Sequence, residues 1–385
     1  MTLGFIKEVF FTGKYKICVY AITKNEEQFV DRWMDAVSEA DLIVVADTGS
    51  TDRTVEKLRA RGAQVYREEI KPWRFDAARN AAMDHIPEDV DICVPNDLDE
   101  VFEKGWREKL EAVWQPDLTR VKYLFTYSYK EDGAPDKQYM MEKIHCRKGF
   151  RWIHPVHELL SYSGGKPEKS IWVPGLILNH YPDLSKPRSQ YLPLLELSAK
   201  ENPEDDRVIF WLGREYMYYK RYDESIVTLR RYLDMPSAAW TEERCAAMRF
   251  ISQCLAEQKK PDEAKEWLYR AIGECPSVRE PYYYMANLAY LQGDWFLLFD
   301  MCEQALTIKN RSGSYLMEPH CWGAFFYDYG SIACYRLGLY QKSLEYVQKA
   351  AELSPDDPRI RRNLDLIRAM ADSDAGKECA GHEAI

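Results

Sequence analysis

Two acidic residues, Asp97 and Asp99, lie in the stretch Val94-Pro-Asn-Asp-Leu-Asp-Glu100, directly after an apolar segment at 90–94. Two positions apart on an extended strand end, both carboxylates project to one side and can hold a hard divalent cation through oxygen. Such a cation could bind a diphosphate. An Asp-x-Asp alone also fits a solvated acidic turn, so the surrounding segments must decide.

A histidine at the end of another apolar run is a further candidate ligand. The segment Val173-Pro-Gly-Leu-Ile-Leu-Asn-His-Tyr181 predicts a strand that ends at His180. His180 could complete the coordination of a metal held by Asp99. Imidazole is a softer ligand than carboxylate and suits manganese better than magnesium.

The elements that would position these residues are strands alternating with helices. Strands are predicted at Ile17–Ile22, Leu42–Ala46 and 63–67, with helical patterns between them. This alternation favours βαβ units, a mostly parallel Rossmann-like sheet, and ligand binding at the carboxyl ends of the strands. Glu27 and Asp47 would lie at such ends, together with Asp97.

Three of the polar residues near these ends allow two interpretations each. Asp47 could accept a hydrogen bond from a base or ribose hydroxyl, or cap the following helix. Arg79 could bind a phosphate bidentately or orient an acidic strand end. Glu27 could contact a nucleoside or stabilise its own helix start.

Four segments together resemble the family 2 glycosyltransferases in order and spacing, over roughly residues 15–160. They are Ala21-Ile-Thr-Lys-Asn-Glu-Glu27, Val45-Ala-Asp-Thr-Gly-Ser-Thr-Asp-Arg-Thr54, Phe75-Asp-Ala-Ala-Arg-Asn80 and Asp97-Leu-Asp-Glu100. The resemblance implies a GT-A fold, inversion at the anomeric carbon, a nucleotide-diphosphate sugar donor such as a UDP-sugar, and Mn²⁺ or Mg²⁺ at the Asp-x-Asp. The expected metal ligands are Asp97, Asp99 and His180, and the expected donor-binding residues are Ala21, Thr23, Glu27, Asp47, Arg79, Asp97 and Leu98.

The base that inversion requires is predicted in Phe150-Arg-Trp-Ile-His-Pro-Val-His-Glu-Leu-Leu160, where three of the polar residues are His154, His157 and Glu158. Family members usually carry an acidic base after the Asp-x-Asp, and Glu158 is the candidate here. A partly desolvated glutamate can act as a base at neutral pH. His157 could instead be the base or orient Glu158. A core histidine beside a solvated glutamate is the non-catalytic alternative.

After about residue 185 the pattern becomes helical. Helix pairs are predicted at 207–219 with 222–233, 244–257 with 261–271, 281–291 with 295–307, and 325–337 with 340–353. The period of about 34–45 residues, with an insertion before the last pair, resembles tetratricopeptide repeats (TPR). We therefore predict a GT-A domain at 1–184, an all-α TPR-like solenoid at 185–370 and a disordered tail at 371–385.

The combination of such a catalytic domain with repeats resembles bacterial peptide S-glycosyltransferases of the sublancin type, which modify bacteriocin peptides. It implies a peptide or protein acceptor, bound in the groove of the repeats, with a Cys thiol or a Ser/Thr hydroxyl as nucleophile. A cell-surface glycan or a small molecule is the alternative acceptor. The repeats could also be pure scaffold or make a homodimer.

Composition narrows the classes of partner and of protein. The net charge of −10 argues against a nucleic-acid surface, which would be basic. With no apolar run of about 18 residues and no signal-peptide pattern, we expect a cytoplasmic protein without a transmembrane segment. A non-catalytic adaptor with a nucleotide-sensing domain is the rival from another class. A nucleotidyltransferase would show a Gly-rich basic loop where Thr23–Glu27 lies.

Overall fold

The computed structural model describes residues 13–183 and 191–382, with side chains to residue 372. Internal contacts divide the chain into two units, Met1–Glu201 and Asn202–Ile385. The division falls after the helix Tyr191–Glu201, later than the predicted boundary between residues 184 and 185. That helix is grouped with the first unit because its contacts lie there: His154 reaches Ser198, and Arg74 pairs with Glu201.

The first unit, in its described part, alternates strands and helices up to residue 113 and then becomes strand-rich. Its elements are β1 (Ile17–Thr23), α1 (Val30–Ala36), β2 (Leu42–Asp47), α2 (Thr54–Ala60), β3 (Gln64–Arg67), α3 (Phe75–Asp84), β4 (Ile92–Pro95), β5 (Glu100–Phe102), α4 (Trp106–Val113), β6 (Arg120–Tyr129), β7 (Pro135–Cys146), β8 (Phe150–Ile153), β9 (Leu159–Tyr162), β10 (Ser170–His180) and α5 (Tyr191–Glu201).

Eight of these strands form one mixed sheet in the order β3-β2-β1-β4-β7-β6-β10-β5. β3, β2, β1 and β4 run parallel, as do β6 and β10, whereas β7 and β5 pair antiparallel with their neighbours. β8 and β9 form a separate hairpin. The predicted mostly parallel sheet is therefore confirmed, and its first half places the carboxyl ends of four strands at one edge.

The sheet is covered on both faces, which explains why β1 is a nearly continuous apolar run. On one face Val19 packs in a core that contains Trp33 of α1 and Trp106 of α4. On the other face Tyr20 packs with Ala82 of α3 and Trp152 of β8. Helix α3 and the β8–β9 hairpin thus lie on the same side of the sheet.

The second unit consists of helix pairs, as predicted. Its described elements are α6 (Asp206–Tyr218), α7 (Tyr222–Asp234), α8 (Thr241–Glu257), α9 (Pro261–Glu274), α10 (Glu280–Gln292), α11 (Trp295–Thr307), a 3₁₀ helix (Pro319–Trp322), α12 (Phe325–Arg336), α13 (Tyr340–Leu353) and α14 (Pro358–His382). The predicted pairs correspond to α6/α7, α8/α9, α10/α11 and α12/α13. The predicted disordered tail differs from the structure, because the backbone of α14 is helical through His382.

The first helices of successive pairs form an inner layer of the repeats. α6 contacts α8, α8 contacts α10, and α10 contacts α12, while each also packs on the second helix of its own pair. Gly213 of α6 allows one such close approach, since a Cβ there would lie 2.6 Å from the Leu229 side chain of α7. The described helices include none that is long and apolar enough to span a bilayer.

Candidate active site

The carboxyl ends of β1, β2 and β4 bring predicted donor-binding residues to one edge. Thr23 and Asp47 are register partners at the ends of β1 and β2. The backbone N–H of Asn96, one residue before Asp97, donates to the carbonyl of Tyr20 on β1 at 3.0 Å. The predicted meeting of these ends is therefore what the structure shows.

Arg79 is the centre of this site. It projects from α3, its side chain is 8% exposed, and its Nη1 and Nη2 donate to Oδ1 and Oδ2 of Asp97 at 2.7 and 2.8 Å. Its Nε donates to Oε1 of Glu158 at 2.5 Å. This geometry agrees with the second interpretation of Arg79, in which its guanidinium orients an acidic strand end.

The charges of this cluster stabilise one another. Burial alone would raise the pKa of Asp97, but the adjacent Arg79 outweighs it and lowers that pKa to about 2. Burial likewise opposes the charge on Arg79, yet Asp97 and Glu158 raise its pKa well above the ordinary value. Arg79 and Asp97 are therefore both ionised at neutral pH, and such a buried charge is held only while its partners remain in place.

Asp99 and His180 form a second pair at the same edge. His180 Nε2 lies 3.5 Å from Asp99 Oδ2, and the backbone N–H of Tyr181 donates to the carbonyl of Asp99 at 2.8 Å. Burial lowers the pKa of His180, but the hydrogen bond and charge of Asp99 outweigh it and raise that pKa. The imidazole packs between the rings of Phe125 and Tyr127, with centroids 5.7 and 5.6 Å away.

The three predicted metal ligands are only partly assembled. Asp99 and His180 are together, whereas both oxygens of Asp97 face Arg79. Across the described residues, the one group of three His, Cys, Asp or Glu side chains with ligand atoms all within 4.8 Å is in the second unit, at Glu318, His320 and Cys321. An Asp-His pair still fits a divalent metal that takes its remaining ligands from diphosphate and water.

Glu158 and His157 have different neighbours. Glu158, with a side chain 12% exposed, is bound to Arg79. The His157 ring instead lies 5.7 Å from that of Tyr191 on α5. Of the two candidate bases, Glu158 is linked to Asp97 through Arg79.

The loop that carries these candidates is anchored to α3. The carbonyl of Pro155 accepts from the Phe75 N–H at 2.9 Å, and Asn80 exchanges two hydrogen bonds with the backbone of Trp152 at 2.8 and 3.0 Å. His154, which is buried, approaches Ser198 at 3.5 Å. His154 is thus a core residue, as the non-catalytic alternative for a histidine here supposes.

The polar residues after β1 and β2 stabilise the loops that follow these strands. Asp47 Oδ1 accepts the Ser50 N–H at 2.9 Å in the turn after β2, and it does not cap α2, which begins at Thr54. Glu27 is exposed and accepts the Arg53 N–H at 2.9 Å. The buried carboxylate here is its neighbour Glu26, which accepts from Thr23 Oγ1 at 2.9 Å.

Two of the predicted donor residues have no polar side chain and are buried. Ala21 is 1% exposed and Leu98 is fully buried, and both lie in the core cluster that backs the sheet. They therefore fix the positions of Thr23 and of the Asp97–Asp99 segment from behind.

Sequence reasoning missed Glu100 and Lys143. Glu100 is 7% exposed, and burial together with the charge of Asp97 raises its pKa to about 7. The positive charge of Lys143 on β7 favours the ionised forms of Asp97 and Glu100. Glu100 could have been found from its position directly after Asp99. Lys143 could not, because the long-range pairing of β7 with β4 brings it here.

Comparison with known proteins agrees with this geometry. Residues 18–164 match the family model "Glycosyl transferase family 2". An "Uncharacterized glycosyltransferase" of Rickettsia bellii (strain RML369-C) is 31% identical over 100 residues, which are 26% of this chain and 33% of the relative. The chain thus spans about a third of the length of that curated relative. The first unit contains a family 2 glycosyltransferase domain.

Solved structures resemble about half of the chain. The crystal structure of MamA is 16% identical, covering 44% of this chain and 91% of that one, with a TM-score of 0.36. The C-terminal part of a TPR repeat-containing protein from Cytophaga hutchinsonii is 14% identical, covering 48% and 67%, with a TM-score of 0.39.

Proposed function

We propose that this protein is a metal-dependent, inverting glycosyltransferase that moves a sugar from a nucleotide-diphosphate donor, a UDP-sugar, to a peptide or protein acceptor. The observation that carries the proposal is the single guanidinium of Arg79 that binds both Asp97 and Glu158, beside the Asp99–His180 pair, within a family 2 glycosyltransferase domain. In this proposal the base, Glu158, would lie next to the site of the donor diphosphate.

The donor nucleoside is assigned to the ends of β1 and β2. Asp47 uses Oδ1 for the Ser50 N–H, and a carboxylate has about four acceptor positions, so it can also accept from a ribose hydroxyl or a base. Thr23 stands beside it in register. Glu27 accepts the Arg53 N–H of the loop after β2, and we keep it among the proposed donor-binding residues.

The metal is assigned to Asp99 and His180, with Asp97 positioned by Arg79 rather than serving as the main ligand. Bound Mn²⁺ or Mg²⁺ would supply positive charge that stabilises the nucleoside diphosphate leaving group. Glu100, with its pKa near 7, accepts the Asp97 N–H at 3.1 Å and holds the backbone of this segment. His180 must be neutral to ligate.

Glu158 is assigned as the base that removes the acceptor proton. Its Oε1 is fixed by Arg79, and we assign proton removal to Oε2. A positioned carboxylate next to the reacting atoms is what a single displacement needs. His157, which faces Tyr191, is assigned to support of the loop.

The acceptor is assigned from the second unit, since helical-repeat surfaces commonly bind polypeptides. A Cys thiol would demand less of Glu158 than a Ser or Thr hydroxyl, because thiols ionise near pH 8.5. A cell-surface glycan or a small molecule is the alternative acceptor. Transfer to such an acceptor would proceed without any added peptide.

Donor binding tests this proposal without knowledge of the acceptor. Calorimetric titration of UDP, GDP and ADP into the protein with Mn²⁺ should show one diphosphate that binds, with affinity lost in EDTA and in an Asp99→Asn variant. The exposed Glu131→Gln substitution in the β6–β7 turn is the matched control and should bind like wild type. No binding of any diphosphate would refute the proposal.

A further inference from the structure

The insertion between α11 and α12 packs on the inner layer of the repeats. It begins with the exposed polar run Lys309–Gly313, in which Gly313 has φ +69°. The following residues, Ser314–Glu318, which we call the strap, are partly or fully buried, with Leu316 9% and Met317 5% exposed. The strap thus follows a solvated linker and docks on helices that precede it in the chain.

An aromatic slot holds the start of the strap. The ring of Tyr315 stacks on Trp211 of α6, with centroids 5.4 Å apart and planes at 17°, and meets the edge of Trp240 at 5.6 Å. Its hydroxyl donates to Oε2 of Glu243 on α8 at 2.6 Å. This slot lies between the first helices of two pairs and accepts one aromatic side chain.

A buried cation holds the end of the strap. Arg249 of α8 is 2% exposed and pairs with Glu318, whose other carboxylate oxygen accepts from the Tyr284 hydroxyl of α10 at 3.0 Å. Burial would raise the pKa of Glu318, but Arg249 outweighs it and lowers that pKa to about 2. Glu318 is the ion-pair partner of this buried cation, and the charge of Glu280 also favours the ionised form of Arg249.

Backbone recognition joins these two side-chain sites. The Glu318 N–H donates to Oε1 of Glu280, at the start of α10, at 2.8 Å. The strap is therefore bound as a peptide ligand would be: an aromatic anchor, a carboxylate three residues later, and a backbone contact between the inner helices.

We propose that the inner face of α6, α8 and α10 is a polypeptide-binding surface, that the strap is its resident occupant, and that an extended segment with an aromatic residue followed three positions later by Asp or Glu competes for it. The chemistry of the partner follows from the slot and from the ion pair between Arg249 and Glu318. The strap follows the exposed polar linker Lys309–Gly313. Its tethering gives it an effective concentration on the order of millimolar.

This inference also bears on where an acceptor peptide would bind. The groove of the repeats was predicted to take the acceptor, and three of its inner helices already carry the strap. A polypeptide that binds at the position of the strap would therefore have to displace it.

The test uses a fluorescent peptide of residues 312–320, Ser-Gly-Ser-Tyr-Leu-Met-Glu-Pro-His, and the full-length protein. A Tyr315→Ala/Glu318→Gln variant should bind this peptide at least about tenfold more tightly than wild type does, since it lacks the tethered competitor. The same peptide with those two substitutions is the control, and its binding to the variant should be at least about tenfold weaker. A folded variant that binds both peptides equally, or neither, overturns the proposal.

Hydrogen exchange of the wild-type protein keeps the proposal falsifiable if the variant does not fold. The amide of Glu318 is hydrogen-bonded to the Glu280 side chain of α10, so it exchanges only when the strap separates from that helix. A displaceable strap predicts exchange at least about tenfold faster there than for buried amides of α8 and α10. Equal exchange rates would show that the strap opens only with the helices themselves, and would contradict the proposal.

Discussion

Arg79 donates to both carboxylate oxygens of Asp97, at 2.7 and 2.8 Å, and its third nitrogen, Nε, donates to Glu158. One side chain on α3 therefore fixes the end of β4 and the loop after β8 at the same time. Because both Asp97 oxygens face the guanidinium, Asp99 and His180 are the better assignment for the metal. The guanidinium thus connects the proposed diphosphate end of the site to the proposed base.

Arg79→Lys should reduce kcat/KM by about a hundredfold, because an ammonium keeps the charge but cannot make the planar fork that orients both carboxylates. The steady-state rate of transfer measures this. Arg151→Lys is the control, since Arg151 forms a surface pair with Asp84, with side chains 55% and 59% exposed, and should change little. An Arg79→Lys enzyme within twofold of wild type would contradict the orienting role.

Glu158→Gln should lower the rate of transfer by about 10²–10⁴-fold while donor affinity stays unchanged, since the amide oxygen can still accept from Arg79 but cannot take a proton. The loss should be smaller with a Cys peptide than with the matching Ser peptide, because the thiol ionises more readily. His157→Gln is the companion variant and should retain most activity. The reverse outcome, with His157→Gln inactive and Glu158→Gln active, would reassign the base.

Acid should destabilise the first unit through His145, which is fully buried on β7. Its Nε2 accepts from the Tyr20 hydroxyl at 3.0 Å and its Nδ1–H donates to the Cys146 carbonyl at 2.7 Å, an arrangement that needs the neutral ring. Burial, aided by the charges of Arg120 and Arg147, lowers its pKa to about 3.

In the unfolded chain the pKa of His145 is about 6.5, whereas in the folded chain it is about 3. Between these two pH values the unfolded chain binds a proton at His145 that the folded chain does not. Stability should therefore fall as pH decreases below 6.5, by about 2 kcal/mol from this group by pH 5. Urea unfolding above pH 6.5 and at pH 5 measures this loss of stability. His145→Gln should remove that part of the pH dependence, whereas His85→Gln, at a site where the side chain is 30% exposed, should preserve it. An unchanged pH dependence in His145→Gln would refute the assignment.

Gly213→Ala should destabilise the repeats by about 1–3 kcal/mol, because the new Cβ would overlap Leu229 on α7, 2.6 Å away. Gly273→Ala in α9 is the matched control. A Cβ at Gly273 meets no heavy atom within 4 Å, so alanine should raise stability by about 0.5–1 kcal/mol through helix propensity. Thermal unfolding followed by circular dichroism compares them. If both variants have equal melting temperatures, close packing of α6 on α7 at Gly213 is wrong.

Local pattern was sufficient to predict most elements of the fold. The alternation of apolar strands and helices to residue 113 gave the parallel half of the sheet, and repeat periodicity gave the four helix pairs. These features depend on neighbours close in sequence. The antiparallel insertion of β7 between β4 and β6 depends on long-range pairing, which no single segment encodes.

The same distinction applies to the site and to the strap. Asp47, Asp97 and Asp99 could be found because each belongs to a motif at or just after the end of a strand. Lys143 could not, because only the β4–β7 pairing brings it near Asp97. The repeat period revealed that an insertion precedes α12, but its packing against Trp211 and Arg249 depends on tertiary contacts that the period does not contain.

The most direct test is release of nucleoside diphosphate from a panel of nucleotide sugars by the purified protein with Mn²⁺, with and without EDTA, for wild type and Asp99→Asn. We predict release from one donor, lost with chelator and in the variant, while circular dichroism shows both proteins folded. Release that persists in EDTA and in Asp99→Asn would contradict the assigned metal site. Absence of release from every donor, together with absence of donor binding in calorimetry, would contradict the glycosyltransferase itself.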